Sequence, residues 1–321
     1  MRLTRKDALA HHSAMCRMRA FEDRLGLVYK QGQISGGVFT GKGNEALCCV
    51  ASSFLSKGDI LAPTHRDMGS HFSKGISLLE MARQWLARGT GGTHGRDNAA
   101  HLGDSENRVF GIISPLATML SLAAGATLVG RIRKEQVCAL TFIGDGATSL
   151  GDFHESLAFM ASLKLPVVVV IENNQFAYST PLSLQTRKEQ LSDHGSIFGI
   201  PSETLDGTDM AVLHPAFAKA YAHVRSGKGP CLIEGVTWRM SGHSLADRSE
   251  YLPEGFLAEG EKNDPIRKAE AWLLKDGVEA RKLEEVKQHW DREVKAAFEQ
   301  ALQEPAPEGS EVAKGVFAEA S

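Results

Sequence analysis

The sequence carries an acid at the apex of a turn that would otherwise suit a phosphate. Residues 137–143 (VCALTFI) form an apolar run with no polar face, and Gly144-Asp145-Gly146 follows at once. A strand ending in a glycine-rich turn into a helix offers backbone N–H groups to phosphate. Ligands of open α/β sheets gather in the crevice beyond the carboxyl ends of the strands. A carboxylate and a phosphate repel there unless a divalent cation lies between them, so the turn predicts phosphate together with a metal. A second acceptor follows the next apolar run: residues 167–171 (VVVVI) lead into Glu172-Asn173-Asn174-Gln175-Phe176. If the two runs are neighbouring strands of a right-handed βαβ unit, Asp145 and Asn174 emerge at the same sheet edge. One carboxylate, one amide oxygen, a backbone carbonyl and diphosphate oxygens make an all-oxygen octahedron, which suits Mg2+. Either motif alone is a common turn or helix cap. The pair on successive strands is the signal.

Other motifs compete with this one. Gly36 to Lys42 fits G-x-x-x-x-G-K, but Gly43 stands where Ser or Thr is required and no apolar strand precedes it. Gly144-x-Gly146-x-x-Ser149 lacks the third glycine of a dinucleotide turn and has its acid in the wrong place, which disfavours NAD. Ala147-x-Ser149-x-Gly151 approximates a nucleophile elbow, and Ser149, Asp206 or Asp209, and His243 occur in the order of a Ser-His-Asp α/β hydrolase. An elbow serine belongs in the turn itself, whereas Ser149 lies six residues past Ile143. This is the rival enzyme class. Farther on, Trp238-Arg239-Met240-Ser241-Gly242-His243-Ser244 follows the apolar run 231–236. A glycine beside His243 and an arginine upstream, at a strand's carboxyl end, favour an acid–base role over a structural one.

The elements that must position these groups read as alternating strands and helices. Strands are expected at 137–143, 167–171 and 231–236, of which 167–171 is the continuous β-branched run of a parallel sheet covered on both faces. Helices are expected where Met15, Met18, Phe21, Leu25 and Val28 recur, from Asn44 to Leu55, around 78–86, over 116–128, and where Phe153, Leu157, Met160 and Ala161 recur. The tail from about Pro265 is helical, with the stripe Leu283, Val286, Trp290, Val294, Phe298 and Leu302. Residues 31–43 contain five glycines, and the glycine-rich stretch 88–104 is too long for an ordinary connector. The segment 303–315 reads as a polar tail. The fold class is α/β: a doubly wound, mostly parallel sheet with helices on both faces, an N-terminal helix and a C-terminal helical extension. The organisation expected is an N-terminal helical arm and glycine-rich loop (1–60), a cofactor-binding α/β domain (61–260) and C-terminal helices with the tail (261–321), forming one structural domain overall.

Composition excludes several classes. With 36 basic and 39 acidic residues the net charge is −3, which argues against a nucleic-acid backbone as partner. The five cysteines include no C-x-x-C pair, so neither a disulfide framework nor a zinc ribbon is signalled. The run Leu165–Ile171 contains a proline and is far short of the ~20 residues of a membrane span. The N-terminus has no apolar signal segment. A cytoplasmic protein is expected.

At this point the residues carry a resemblance. Gly144-Asp145-Gly146, 26 residues, then Asn173-Asn174 resembles the thiamine diphosphate signature. The text GDGATSLGDFHESLAFMASLKLPVVVVIENNQFAYSTP is similar to α subunits of the E1 component of 2-oxo acid dehydrogenase complexes. That family includes pyruvate, branched-chain 2-oxo acid and acetoin dehydrogenases, and the similarity runs from about residue 15 to 300. The resemblance implies a thiamine diphosphate-binding fold and an oxidoreductase that decarboxylates a 2-oxo acid. It implies that Asp145, Asn174 and the Phe176 carbonyl hold Mg2+, with Gly146 and Ala147 against the diphosphate. Arg66 matches an arginine used on the diphosphate, and His65 stands where many relatives have tyrosine. Ser114 and Leu116 resemble the segment whose backbone holds the aminopyrimidine ring. Arg239 and His243 match a mobile loop that reaches the cofactor, with His243 as the catalytic acid or base. Ser244 aligns with a serine that is phosphorylated in mitochondrial relatives. At the potassium site of branched-chain relatives Thr118 matches, but Met119 replaces glutamine and Ile113 replaces serine.

The same resemblance implies partners. No glutamate here stands in a context that matches the family's cofactor-activating carboxylate, which lies on a separate β subunit. The chain would then be half of a site in an α2β2 assembly, delivering its acyl group to a lipoyl-bearing E2 acyltransferase. Ala177-Tyr178-Ser179-Thr180-Pro181 leans towards branched-chain enzymes, whereas Thr64-His65-Arg66 leans towards acetoin or bacterial pyruvate enzymes.

Overall fold

The three apolar runs become the inner strands of a parallel sheet. In the computed structural model, which describes residues 1–97, 100–311, 313 and 314, the strands are β1 (Ile60–Ala62), β2 (Ala139–Gly144), β3 (Val167–Asn173), β6 (Ser202–Asp206) and β7 (Cys231–Val236). A small antiparallel ribbon, β4 (Phe176–Ala177) and β5 (Thr180–Pro181), separates β3 from β6 along the chain. The sheet order is β1-β2-β3-β7-β6 and every pairing in it is parallel. β1 and β6, which the sequence reading did not anticipate, are the edges.

Alternation along each inner strand sends neighbouring side chains to opposite faces. Ile143, Val167, Val169 and Ile171 pack with the helices Thr118–Ile132 and Gly151–Ser162. Leu140, Phe142, Val168 and Val170 pack into a second core with the helices Arg5–Lys30, Glu45–Ser52 and Met210–Arg225. Burial on both sides explains why β3 has no polar face. The helix over 118–132 starts after Pro115-Leu116 and runs past Leu128, because nothing before Arg133 ends it.

The opening helix is capped reciprocally: Thr4 Oγ1 accepts from the Asp7 N–H at 3.2 Å and the Asp7 carboxylate accepts from the Thr4 N–H at 3.1 Å. Its Met15, Met18, Phe21, Leu25 and Val28 are all buried. The helix Ala280–Gln303 lays Leu283, Val294 and Phe298 on the same core, with the Phe21 and Phe298 rings 5.0 Å apart. The segment expected as a polar tail is anchored at its start. Glu304 accepts two bonds from Arg83 at 2.7 Å each, and the Gly89 N–H donates to the Pro305 carbonyl at 3.0 Å. Residues 98 and 99 of the glycine-rich stretch, and 312 and 315 of the tail, lie outside the described residues, as do 316–321. The five cysteines are buried free thiols. Among the described residues no helix is long and apolar enough to cross a membrane.

Candidate functional site

β2 and β3 end side by side, with Gly144 opposite Glu172. Asp145 opens a short 3-10 turn to Ser149, and Asn174 leaves β3 into the ribbon. Gln175 takes the left-handed conformation (φ 72), which lets the chain reverse there. The turn and the ribbon approach so closely that a Cβ on Gly146 would lie 2.4 Å from the Cβ of Ala177. The two asparagines therefore part. Asn173 donates to Glu234 at 2.7 Å and accepts from the Gln175 N–H at 3.0 Å, whereas Asn174 Oδ1 is buried without a hydrogen-bond partner among the described residues. Asp145, 2% exposed, accepts from Gln185 Nε2 at 3.0 Å. Asp145, Gly146, Ala147, Asn174 and Phe176 line one cavity of about 410 Å³, shared with His65, Arg66, Leu116 and His243.

Arg66 is held in the wall by backbone oxygens: Nη1 donates to the Thr40 carbonyl at 2.6 Å and Nη2 to the His243 carbonyl at 2.8 Å. Burial and the neighbouring Arg239 lower its pKa to about 10, so it remains a cation near neutral pH. The His243 ring lies edge-on to Tyr178 (4.5 Å) and Phe39 (5.1 Å), and Phe39 meets His65 at 4.9 Å. Burial, then Arg66 and Arg239, pull the His243 pKa down to about 4. Burial, then Arg66 and His243, pull His65 to about 3. Both imidazoles are neutral near pH 7. Arg66 Nη2 also lies 3.5 Å from His243 Nδ1; since arginine can only donate, Nδ1 accepts and the ring proton sits on Nε2. Burial raises the pKa of Asp145 against the bonds it accepts from Gln185 and the Gly146 N–H.

Not every expected residue lines the cavity. Arg239 is buried behind it, with Nη2 donating to the Tyr178 carbonyl at 3.0 Å and Nε unpartnered, beside a small polar void that Arg66, Glu172 and Asn174 also border. The Ser114 hydroxyl turns to His101 Nε2 at 3.4 Å, while Ile113, Pro115 and Leu116 form the wall. Thr118 bonds Asp152 at 3.2 Å. The hydrolase triad is not assembled. Ser149 is exposed, Asp206 is bonded to Lys268 and Thr208, and Asp209 caps the helix Met210–Arg225. The acid facing His243 is Asp247, which accepts from its backbone N–H at 2.6 Å. Residues the sequence reading missed include Gln185, Tyr178 and Phe39, all on irregular or very short segments. Glu172 left a visible trace, an acid closing an otherwise apolar strand.

A diphosphate with a divalent cation fits the residues present. The residues lining the cavity include an asparagine whose buried amide oxygen lacks a partner among the described residues, a carboxylate whose ionised form burial penalises, a glycine with no room for a side chain, and a buried cation. A metal ion beside Asp145 would favour its anion.

Residues 13–310 match the family described as dehydrogenase E1 component. The subunit alpha of acetoin:2,6-dichlorophenolindophenol oxidoreductase from Bacillus subtilis (strain 168) is 30% identical over 316 residues, covering 98% of this chain and 95% of the relative. The 2-oxoisovalerate dehydrogenase subunit alpha of the same organism is 32% identical over 286 residues, 88% of this chain and 86% of that one. The pyruvate dehydrogenase E1 component subunit alpha of Rhizobium meliloti (strain 1021) is 31% identical over 316 residues, 96% and 89% of the two chains. A match running from within the opening helix to beyond the last long one takes in all the strands and the cavity, and the chain belongs to the dehydrogenase E1 component family.

Proposed function

We propose that this chain is the α subunit of a thiamine diphosphate-dependent E1 component that oxidatively decarboxylates a 2-oxo acid and passes the acyl group reductively to a lipoyl arm. The observation that carries the reading is Asn174, whose buried Oδ1 lacks a hydrogen-bond partner among the described residues, lining the same cavity as Asp145 and Phe176 at the ends of adjacent strands. Asp145, Asn174 Oδ1 and the Phe176 carbonyl would hold Mg2+, an ion that takes few protein ligands besides phosphate oxygens. Gly146 and Ala147 would receive the diphosphate, with Arg66 as its counter-charge. The segment Ser114–Leu116 would face the aminopyrimidine. When bound, thiamine diphosphate supplies the electron sink that lets a 2-oxo acid lose CO2.

The chain's own residues then orient, dry and protonate. Ile112, Ile113, Met119, Phe142 and Ile143 give the cavity apolar walls, in which charge interactions are stronger than in water. His243, neutral with its proton on Nε2, would donate a hydrogen bond from that atom to negative charge developing at the reacting centre. Arg239 steadies this loop from behind through Tyr178 and the Tyr251 hydroxyl.

The activating carboxylate belongs in this reading to a β subunit in an α2β2 assembly, with a lipoyl-bearing E2 as acyl acceptor. The exposure of Leu116 (53%) and Tyr178 (54%) beside the cavity supports a partner there, and the relatives are themselves named as alpha subunits. Buried free thiols suit a reducing cytoplasm. An acetoin-cleaving enzyme is the second reading, favoured by the acetoin relative that spans 98% of the chain.

Calorimetry on the co-expressed α2β2 protein tests the assignment. Thiamine diphosphate should bind with Mg2+ present and lose binding with EDTA, and metal-independent or absent binding would overturn the reading. Turnover of pyruvate, 2-oxoisovalerate and acetoin by the same preparation then identifies the substrate.

A further inference from the structure

The glycine segment that fails as a nucleotide loop lies between two buried carboxylates and two loops of the cofactor site. Two of its peptide groups are bonded at both ends. In the first, the Gly41 N–H donates to Glu22 Oε1 at 2.7 Å, while the Thr40 carbonyl of the same peptide accepts from Arg66 Nη1 at 2.6 Å. In the second, the Gly43 N–H donates to Glu45 Oε2 at 2.8 Å, while the Lys42 carbonyl accepts from the Met240 N–H at 3.2 Å. The approach is backbone to backbone. A Cβ on Gly41 would lie 2.2 Å from the Arg66 carbonyl oxygen, and one on Gly43 1.9 Å from that of Trp238.

The two acids differ in their remaining bonds. Glu45 is also paired with Arg19, which reaches Asp264 at 3.2 Å. Glu22, 2% exposed, has its second oxygen buried with no hydrogen-bond partner among the described residues. Burial, then Glu45, lifts its pKa to about 8. A buried acid this costly, whose bond goes to the Gly41 N–H, has a local task.

We propose that Glu22 is a positioning residue for Arg66, acting through the Thr40–Gly41 peptide. An acceptor acid on the N–H and a guanidinium on the C=O polarise that peptide in the same sense, so each bond strengthens the other. Arg66 Nη2 then continues to the His243 carbonyl at 2.8 Å, which extends the alignment to the catalytic loop. The proposal rests on the reading that Arg66 meets the cofactor's diphosphate.

The test is calorimetric affinity for thiamine diphosphate with Mg2+, on the α2β2 protein carrying Glu22→Leu, Glu22→Gln or Arg66→Ala. Leucine keeps the packing and loses the acceptor; affinity should fall about tenfold or more with the melting temperature of the cofactor-free protein little changed. Glutamine keeps an acceptor oxygen and should restore affinity to within about threefold. If Glu22→Leu binds normally while Arg66→Ala does not, the relay is overturned and the cofactor reading stands. If Arg66→Ala also binds normally, that reading of Arg66 falls and the proposal with it. Should Glu22→Leu fail to assemble, Glu22→Asp, one methylene too short to reach the Gly41 N–H, takes its place; undiminished affinity there overturns the relay.

Discussion

Asp145→Ala should abolish Mg2+-dependent binding of thiamine diphosphate, with calorimetric affinity falling by roughly a hundredfold or more. Among the residues expected to touch the ion, Asp145 alone brings a negative charge; Asn174 and the Phe176 carbonyl bring only dipoles. A small hard cation that must shed water needs that charge. The substitution leaves the strand ends paired and removes a buried carboxylate bonded by the Gln185 side chain and the Gly146 N–H, whose ionised form burial already penalises, so the cofactor-free protein should melt close to its normal temperature. Retained affinity in this variant would end the metal assignment. Asp145→Asn, which keeps the shape and discards the charge, should behave like the alanine variant.

His243→Ala should lower kcat by about 10² to 10⁴ while cofactor affinity stays within about threefold. The backbone contacts of residue 243 survive the change: its carbonyl still accepts from Arg66 and its N–H still donates to Asp247. Only the ring is lost, with its single 3.5 Å contact to Arg66 and its packing on Tyr178 and Phe39. A kcat within threefold of the unaltered enzyme, measured with saturating cofactor and substrate, would remove His243 from the chemistry. A large fall in affinity instead would make it a binding residue.

What could be read from the residues follows from how each element earns its burial. β2, β3 and β7 are covered on both faces and so leave largely apolar runs, interrupted in β7 by the buried Glu234. β1 is three residues long, and β6 (SETLD) is a half-exposed edge whose polar residues interrupt any pattern. Asp145, Asn174 and Phe176 were legible because a strand's end determines where the next few residues point. Gln185, Tyr178 and Phe39 reach the site through tertiary packing of irregular chain, which has no period to detect. Arg239 illustrates the limit between the two. Its place after β7 was correct, yet its side chain runs behind the cavity to the Tyr178 carbonyl.

The strand order has a bearing on synthesis at the ribosome. β6 is made before β7 but is joined to the sheet only through it, since β7 fills the gap between β3 and β6. A nascent chain that has emerged as far as residue 230 carries β6 with no strand to dock beside. Translation pausing in that interval would leave an adhesive, half-finished intermediate exposed to proteases and chaperones.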